Sequence, residues 1–284
     1  MTLEDHPPLN GLAPPAWSKS QLRRLGNSIR DSRSEPSDCP SYVEVITWYD
    51  DLAVSVQDAI RGLDWASLLV GRPAPVFSSR AKTIDTLRDK LQRDRATPLG
   101  NVQDVAGVRF ECEMTLEEQD VVARAIADAF DQRIRAIHDI RRSPHAGYRA
   151  VHVWLQLRHA RVEVQVRTHL QGAWANVYEA LADRFGRAIR YEDDLTGVPE
   201  PGRALAEALR YISRRDIAEM EAERQIFVTR CLELGLDDGD LFSRSRAGGA
   251  ASVVRSRWDD LRRREHRLME RLGDLEARVR QFDA

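Results

Sequence analysis

The sequence has no apolar run that could cross a membrane and no sign of export. Its longest apolar stretches are well short of the ~20 residues that a membrane-spanning helix needs. Three cysteines (Cys39, Cys112 and Cys231) are far apart, odd in number and without a metal-binding spacing. Residues 1–15 contain four prolines but no apolar core, so they are not a signal peptide. These absences favour a reduced, cytoplasmic setting without a membrane partner.

The common motifs of nucleotide-binding folds are missing as well. There is no Walker glycine loop, and no Gly-x-Gly-x-x-Gly follows a strand. The pair His138-Asp139 has no second histidine nearby, so it does not predict a metal-dependent hydrolase centre. The net charge is −2, so no overall basic field draws the chain onto nucleic acid. Any phosphate chemistry must therefore use another scaffold.

The periodicity of the chain predicts an α+β fold with a mixed β-sheet flanked by helices. With 284 residues and 42% hydrophobic residues, the chain can bury a substantial core. We expect a flexible tail at 1–16, N-terminal helices at 17–74 and a core at 75–192. The strands of this core are predicted at 101–112, 133–141, 149–158 and 161–168, and its helices at 82–91, 116–130 and 170–187. The short link between the last two strands predicts an antiparallel hairpin.

Residues 203–284 are predicted to form a C-terminal helical hairpin or coiled coil. A long helix is expected at 205–234, followed by a Gly/Ser/Ala-rich hinge at 243–252. The last helix carries apolar residues spaced by threes and fours, with Glu265 in the one missing core position: Val254, Trp258, Leu261, Leu268, Leu272, Leu275, Val279 and Phe282. This spacing is typical of a coiled-coil seam of about four heptads. The seam closes either on helix 205–234 or in a homo-oligomer, and its arginine-rich outer face is either solvated or an RNA contact surface.

Three cations precede the first predicted strand of the core. Lys82 and Lys90 are eight positions apart, a little over two helical turns, so they lie on roughly one side of a helix, with Arg80 at its entrance. Such a set can clamp a triphosphate, because Arg forks match phosphate oxygens and Lys acts as a point charge. The competing interpretation is an ordinary solvated helix face.

The predicted strand at 161–168 alternates polar and apolar residues. This period places Glu163, Gln165 and Arg167 side by side on one face and the valines on the other. A carboxylate, an amide and a guanidinium on such a face indicate a nucleotide and metal site. Gln165 also has a simpler interpretation, as a satisfied polar group at the rim of the core.

A second carboxylate, Asp104, lies in the predicted strand at 101–112. Unbroken alternation would put it on the opposite face from Arg109, unless Gly107 allows a bulge that re-aims one of them. Alone, Asp104 is more often a turn former. Together with Glu163 it would suit Mg²⁺, which proteins commonly hold with one or two carboxylates plus substrate phosphates.

An aromatic residue, Tyr148, follows Gly147 directly after a turn-rich stretch. It either stacks on a nucleobase or packs at the start of a strand. The nearby His152 has a simpler interpretation as a satisfied polar group near the core, and Trp174 is expected in the core.

Taken in order, these pieces resemble the synthetase domain of the RelA/SpoT family, including its small alarmone synthetases and their toxic relatives. The matching motifs are Arg80-x-Lys82 with Lys90, Asp104-x-x-Gly107-x-Arg109, Gly147-Tyr148-Arg149-x-x-His152, and Glu163-Val164-Gln165-Val166-Arg167-Thr168 running on to Trp174-Ala175. The resemblance covers roughly residues 75–190. It implies a nucleotidyltransferase-like fold.

The resemblance also implies an activity and a set of roles. The family transfers pyrophosphate from ATP to the 3′-hydroxyl of GDP or GTP, which makes the alarmone (p)ppGpp. Asp104 and Glu163 would hold Mg²⁺, and Glu163 would help to deprotonate the attacking hydroxyl. The cations around ATP would be Arg80, Lys82, Lys90 and Arg109. The acceptor would contact Tyr148, His152, Arg142, Gln165 and Arg167.

The chain departs from the family pattern at several places. The turn before Tyr148 is one residue longer and lacks the family's lysine, which Arg142 is expected to replace. Tyr178-Glu179 stands where the family has Glu-His. No His-Asp hydrolase domain precedes the core, so we expect synthesis without degradation. The alternatives are a toxin-type relative that modifies the tRNA 3′-CCA end or adenosine nucleotides and has an antitoxin partner, or an inactive scaffold.

Overall fold

A five-stranded mixed sheet forms the centre of the computed structural model, which describes residues 12–191, 195–233 and 250–281. The strands are β1 (Val76–Ala81), β2 (Ala106–Cys112), β3 (Ile137–Asp139), β4 (Val151–Gln156) and β5 (Arg161–Thr168), in the spatial order β1-β2-β5-β4-β3. β2 and β5 are parallel, and the other neighbouring pairs are antiparallel. The predicted mixed sheet and the β4–β5 hairpin are confirmed.

Ten helices surround this sheet within the described ranges. They are α1 (Lys19–Arg30), α2 (Tyr42–Arg61), α3 (Trp65–Leu68), α4 (Ile84–Arg93), α5 (Leu116–Ala129), α6 (His169–Phe185), α7 (Ala188–Tyr191), α8 (Gly202–Ile212), α9 (Ala218–Glu233) and α10 (Ala250–Gln281). α6 begins with a capping box in which Thr168 accepts from the Gln171 backbone amide. A π-helical turn joins α8 to α9. In the described ranges, no helix has both the length and the apolar character needed to span a bilayer.

The two faces of the sheet have different environments. Val162, Val164 and Val166 of β5 are fully buried in one hydrophobic cluster with side chains of α1, α2, α4 and α5. The opposite face of β5 carries the polar side chains of Glu163, Gln165 and Arg167, and α6 follows directly after β5. A second cluster joins α6 to α8 and α10. The apolar face of the sheet therefore packs in the hydrophobic core, and the polar face carries the side chains of the candidate site.

Several boundaries differ from those predicted. β2 begins at Ala106 and not at 101, because residues 99–101 form a 3₁₀ turn. The strand expected at 133–141 is reduced to Ile137–Asp139, since the Asp139 carboxylate accepts from the Arg141 backbone amide at 3.0 Å and turns the chain. The edge strand β1 was not predicted. The expected tail at 1–16 lies mostly outside the described residues, but the Trp48 indole donates to the Ala13 carbonyl at 2.9 Å.

The heptad seam of α10 is buried within the chain. Its residues Leu268, Leu272 and Val279 pack in the cluster around α6, and Trp258 and Leu261 pack on Val228 of α9. The seam therefore packs within the chain, both on α6 and on residues of the helix expected at 205–234. The side chains of Val254 and Phe282, and most of the hinge expected at 243–252, lie outside the described residues.

Glu265 fills the gap in the heptad pattern with a buried ion pair. Its side chain is almost fully buried and accepts from Arg224 Nε of α9 at 3.0 Å. The same guanidinium also lies 2.9 Å from Glu113 Oε1 and packs over the Trp258 ring. Glu265 of α10 thus binds Arg224 of α9, and the same arginine binds Glu113, the residue that follows β2.

We expect Glu265→Ala to lower the free energy of unfolding by about 3 kcal/mol, because Arg224 would stay buried with only Glu113 as its partner. Urea unfolding followed by circular dichroism measures this. Glu270→Ala is the matched control, since Glu270 is exposed on the same helix and its pair with His266 contributes little. Equal effects of the two substitutions would contradict this account of the seam.

Candidate functional site

Three side chains of β5 form a ladder on the polar face of the sheet. The Gln165 amide donates to Glu163 Oε1 at 2.8 Å, and Arg167 Nη2 donates to Gln165 Oε1 at 2.6 Å. The strand period predicted this alignment, and it is confirmed together with the buried valines on the other face.

Two residues of the preceding segment close the ladder into a ring. His152 Nδ1 lies 3.3 Å from Glu163 Oε2, and the Tyr148 hydroxyl lies 2.9 Å from His152 Nε2. Arg167 Nη2 donates to the Tyr148 hydroxyl at 3.1 Å. We call these five residues (Tyr148, His152, Glu163, Gln165 and Arg167) the polar ring. Each member has two partners within it, so the ring fixes the orientation of every side chain.

The turn before Tyr148 depends on Gly147. This glycine has φ +88°, and an added Cβ would lie 3.1 Å from the Trp174 ring and 3.2 Å from the Arg210 Cα. Its carbonyl accepts a hydrogen bond from the Ser213 hydroxyl. Only glycine therefore fits between α6 and α8 here, and this fit delivers Tyr148 to the polar ring.

The ring sets opposite charges on Glu163 and His152. Burial by itself lowers the pKa of His152, but the contacts with Tyr148 and Glu163 outweigh it and raise that pKa. Burial raises the pKa of Glu163, but His152 and the Gln165 amide outweigh it and hold that pKa well below its usual range. At neutral pH the two groups form an ion pair.

A second group of charges is organised by Asp104. Lys82 Nζ lies 2.8 Å from Asp104 Oδ2, and Lys90 Nζ lies 3.4 Å from Asp104 Oδ1. The expected reason for this grouping was wrong, because Lys82 precedes α4 and does not share a helix face with Lys90. The strand-parity argument does not apply either, since Asp104 lies in the turn before β2. Its carboxylate faces the cations from there.

Arg109 and Arg80 share a carboxylate that sequence reasoning did not assign to the site. Arg109 Nη2 donates to Glu179 Oε1 at 2.6 Å, and Arg80 Nη2 lies 3.7 Å from Glu179 Oε2. Burial raises the pKa of Glu179, but Arg109 and Arg167 outweigh it and lower that pKa. The only signal for Glu179 was its departure from the expected Glu-His pair. Arg190 of the short helix α7, which donates to the Glu179 carbonyl at 3.1 Å, had no sequence signal.

A cleft of about 270 Å³ opens between these groups. It is lined by Ser78, Ser79, Arg80, Lys82, Thr83, Thr86, Asp104, Gly107, Arg109, Glu163, Gln165 and Arg190. The structure thus brings together most of the predicted residues. Lys90 does not line the cleft itself but pairs with Asp104, which does. Arg142 lies apart from the cleft lining, because its exposed side chain pairs with Asp139 at 3.1 Å.

Two carboxylates in the cleft suit a hard cation. Asp104 Oδ1 is buried and accepts no hydrogen bond from the described residues, and Glu163 lines the same cleft. The described residues contain no cluster of three or more His, Cys, Asp or Glu side chains arranged for a metal. A cation here would therefore need oxygen ligands from a substrate, which is the usual situation for Mg²⁺.

Comparison with known proteins finds a match over most of the segment that forms the site. Residues 79–182 match a family model described as a region found in RelA / SpoT proteins. This segment is similar to the RelA/SpoT region. It runs from β1 to α6 and contains the polar ring, Asp104, Lys82, Lys90 and Glu179.

The chain is also similar to an uncharacterized protein of Mycobacterium tuberculosis (strain ATCC 25618 / H37Rv), at 52% identity over 181 residues. The match covers 63% of this chain and 64% of the relative, so the chain spans less than two thirds of that relative's length. A GTP pyrophosphokinase family protein from Streptococcus pneumoniae matches in structure with a TM-score of 0.53 at 19% identity, over 68% of this chain and 95% of that one. This likeness confirms the fold. Small alarmone synthetase 1 from Bacillus subtilis matches with a TM-score of 0.48 at 18% identity, over 65% and 97% of the two chains.

Gly172 of α6 leaves room for the carboxylate of Glu111 on β2. An added Cβ would lie 2.5 Å from the carboxyl carbon of Glu111, whose side chain is 3.5 Å from Arg167 Nη1. We expect Gly172→Ala to lower the free energy of unfolding by about 1 kcal/mol, because the added methyl moves the Glu111 carboxylate away from the buried Arg167 guanidinium. Thermal or urea unfolding measures this change.

Gly273→Ala is the matched control for that substitution. Gly273 lies inside α10 with open space around its Cα, so alanine should raise the free energy of unfolding by about 0.5–1 kcal/mol. If both substitutions stabilise the protein, the role of Gly172 in leaving room for the Glu111 carboxylate is refuted.

Proposed function

We propose that this chain is a pyrophosphokinase that transfers the β,γ-pyrophosphate of ATP to the 3′-hydroxyl of GDP or GTP. One observation carries the proposal: the order of side chains across the sheet. Arg80, Lys82 and Arg109 lie on the β1 and β2 side of Glu163, while Tyr148 and His152 lie on its β4 side. A phosphate-binding half and an acceptor half thus meet at one carboxylate. The RelA/SpoT region supports the same reaction class.

The cations of the phosphate-binding half form ion pairs with carboxylates. Asp104 pairs with Lys82 and Lys90, and Glu179 pairs with Arg109. In our proposal, the triphosphate of ATP takes over these cations, since phosphate oxygens match the Arg fork and carry more charge than a carboxylate. The two carboxylates keep the cations in place until ATP arrives.

Mg²⁺ is the cofactor that this arrangement suits. We propose that Asp104 and Glu163 hold it with phosphate oxygens of ATP, because both carboxylates line the cleft and Asp104 Oδ1 has only the Lys90 ammonium, at 3.4 Å, as a partner among the described residues. When bound, the ion would neutralise charge that develops on the transferred group.

Glu163 orients the attacking hydroxyl in this proposal. Its lowered pKa keeps it ionised, so it accepts a hydrogen bond from the 3′-hydroxyl. The 3′-oxygen forms a bond to the β-phosphorus, the bond from that phosphorus to the α,β-bridging oxygen breaks, and AMP leaves. Because phosphoryl transfer passes through a loose transition state, the hydroxyl proton is lost late and a weakly basic carboxylate can accept it. Positioning therefore matters more than base strength.

Other expectations about partners stay predictions. They are the oligomer or antitoxin contact through the C-terminal helices, the cytoplasmic location and the acceptor contact of Arg142. In our proposal, Arg167 positions Tyr148 and does not contact the acceptor, because its guanidinium is buried against the Tyr148 ring and not exposed in the cleft.

We expect Glu163→Gln to reduce AMP release from ATP, Mg²⁺ and GDP by about 1,000-fold or more, since it removes the charge that orients the acceptor and holds the cation. Chromatography of the nucleotides measures the rate. Glu270→Gln on the exposed face of α10 is the control and should leave the rate unchanged. Chelation of Mg²⁺ should abolish the reaction.

An acceptor panel with γ-labelled ATP tests the acceptor. Label should move onto GDP and GTP when these are compared with ATP and deacylated tRNA. Transfer onto tRNA alone would refute the nucleotide acceptor while keeping the pyrophosphokinase chemistry. Absence of AMP release with every acceptor, in wild type and Glu163→Gln alike, would refute the enzyme.

A further inference from the structure

Two side chains of α2 contact the chain at the point where β1 ends. The Tyr42 hydroxyl donates to the Lys82 carbonyl at 3.1 Å, and Asp50 Oδ1 accepts from the Ala81 backbone amide at 3.1 Å. These contacts hold the peptide that joins Arg80 to Lys82, and both of these cations line the cleft. Tyr42 and Asp50 belong to none of the motifs that predicted the site, and they precede the segment that matches the RelA/SpoT region.

The contacts lie on the open side of an edge strand. β1 is the outermost strand of the sheet, and its register with β2 ends at the pair Ala81 and Ala106. The Lys82 amide still bonds towards β2, where it donates to the Val105 carbonyl at 2.8 Å. The Ala81 amide and the Lys82 carbonyl bond to α2 and not to a strand. An edge strand presents unpaired backbone groups, and α2 supplies the partners of two of them.

The start of α2 is itself fixed. Ser41 and Glu44 form a capping box at its first turn, and the Tyr42 amide donates to Glu35 Oε1 at 3.0 Å. The inner side of α2, which includes Leu52, is buried in the cluster on the apolar face of the sheet. Burial raises the pKa of the Tyr42 hydroxyl, so it keeps its proton and remains a donor at neutral pH. α2 is therefore a rigid support for the residues that it contacts.

We propose that Tyr42 and Asp50 are positioning residues that fix the peptide between Arg80 and Lys82, so that the affinity of the cleft for the triphosphate of ATP depends on them. This inference rests on the proposed function, because it assumes that both cations bind phosphates of ATP. It gives α2, a helix outside the segment that matches the RelA/SpoT region, a part in substrate binding.

The short connection from β1 to α4 explains why these contacts matter. It consists of Lys82 and Thr83 alone, so a rotation of the Lys82 peptide moves its side chain and the start of α4 together. Lys82 Nζ lies 2.8 Å from Asp104 Oδ2, and Lys90 of α4 pairs with the same carboxylate. Loss of the contacts from α2 would therefore displace the cations of the phosphate-binding half and leave the acceptor half unchanged.

Calorimetric titration with the α,β-methylene analogue of ATP and Mg²⁺ tests the inference. We expect the double variant Tyr42→Phe/Asp50→Ala to bind the analogue about 5- to 100-fold more weakly, the range for losing two hydrogen bonds. Its affinity for GDP should change less than about 3-fold, because the acceptor half is distant and shares no partner with these residues. A merely structural role would weaken the binding of both ligands alike.

Two single variants serve as controls. Asp50→Asn keeps an acceptor oxygen at the same place, so it should bind the analogue within about 3-fold of wild type. Trp48→Phe removes one hydrogen bond from the same helix to a different carbonyl, that of Ala13, and should also stay within about 3-fold. An unchanged affinity of the folded double variant, or an equal loss in Trp48→Phe, would overturn the inference.

Hydrogen exchange provides a readout without any ligand. In Asp50→Ala, the Ala81 amide should exchange about 2- to 10-fold faster than in wild type, because it loses its acceptor. The amides of β4 and β5 should keep their protection, since local opening differs from global unfolding. Unchanged exchange at Ala81, or faster exchange throughout the sheet, would contradict a local positioning role.

The two proposals fail in different ways. A wild-type protein that binds the analogue but releases no AMP from ATP with GDP, and whose double variant loses affinity, refutes the proposed function and keeps the positioning role. A protein that is active, with the affinity of the double variant unchanged, refutes the positioning role alone. A wild-type protein that does not bind the analogue overturns the inference.

Discussion

The ion pair between Glu163 and His152 is the contact on which the rest of the site depends. It closes the polar ring, and the ring in turn fixes Gln165, Arg167 and Tyr148. A buried carboxylate without this partner would take up a proton, because burial disfavours its charge. The structure keeps Glu163 charged with a histidine from the neighbouring strand. It thereby presents a fixed negative charge between a cationic half and an aromatic half of the same sheet.

Local pattern predicted the parts of the site that lie within one strand or one turn. The period of β5 correctly aligned Glu163 with Gln165, and the turn before Tyr148 was found from its glycine. What the pattern missed depends on tertiary placement. Lys82 and Lys90 meet through Asp104 and not through a shared helix face, and Glu179 reaches Arg109 across the space between α6 and the sheet. Such contacts have no fixed spacing in the sequence.

The seam of α10 illustrates the same limit at the level of the fold. Its heptads correctly predicted a long helix with one buried side, but they could not name the partner, because an apolar stripe is complementary to any other apolar stripe. Glu265 was the informative residue. A charge in that stripe needs one specific opposite charge, and Arg224 supplies it.

The position of α10 also has a consequence for the order in which the protein matures. α6 carries Glu179 and lies over the sheet, and its outer side is covered by Leu268 and Leu272 of α10. The ribosome makes α10 long after it has made α6. A nascent chain that already contains residues 79–182, the segment that matches the RelA/SpoT region, therefore still lacks the helix that packs on α6. We expect such a chain to bind nucleotides poorly, so that nucleotide binding requires α10 as well as the residues of the site.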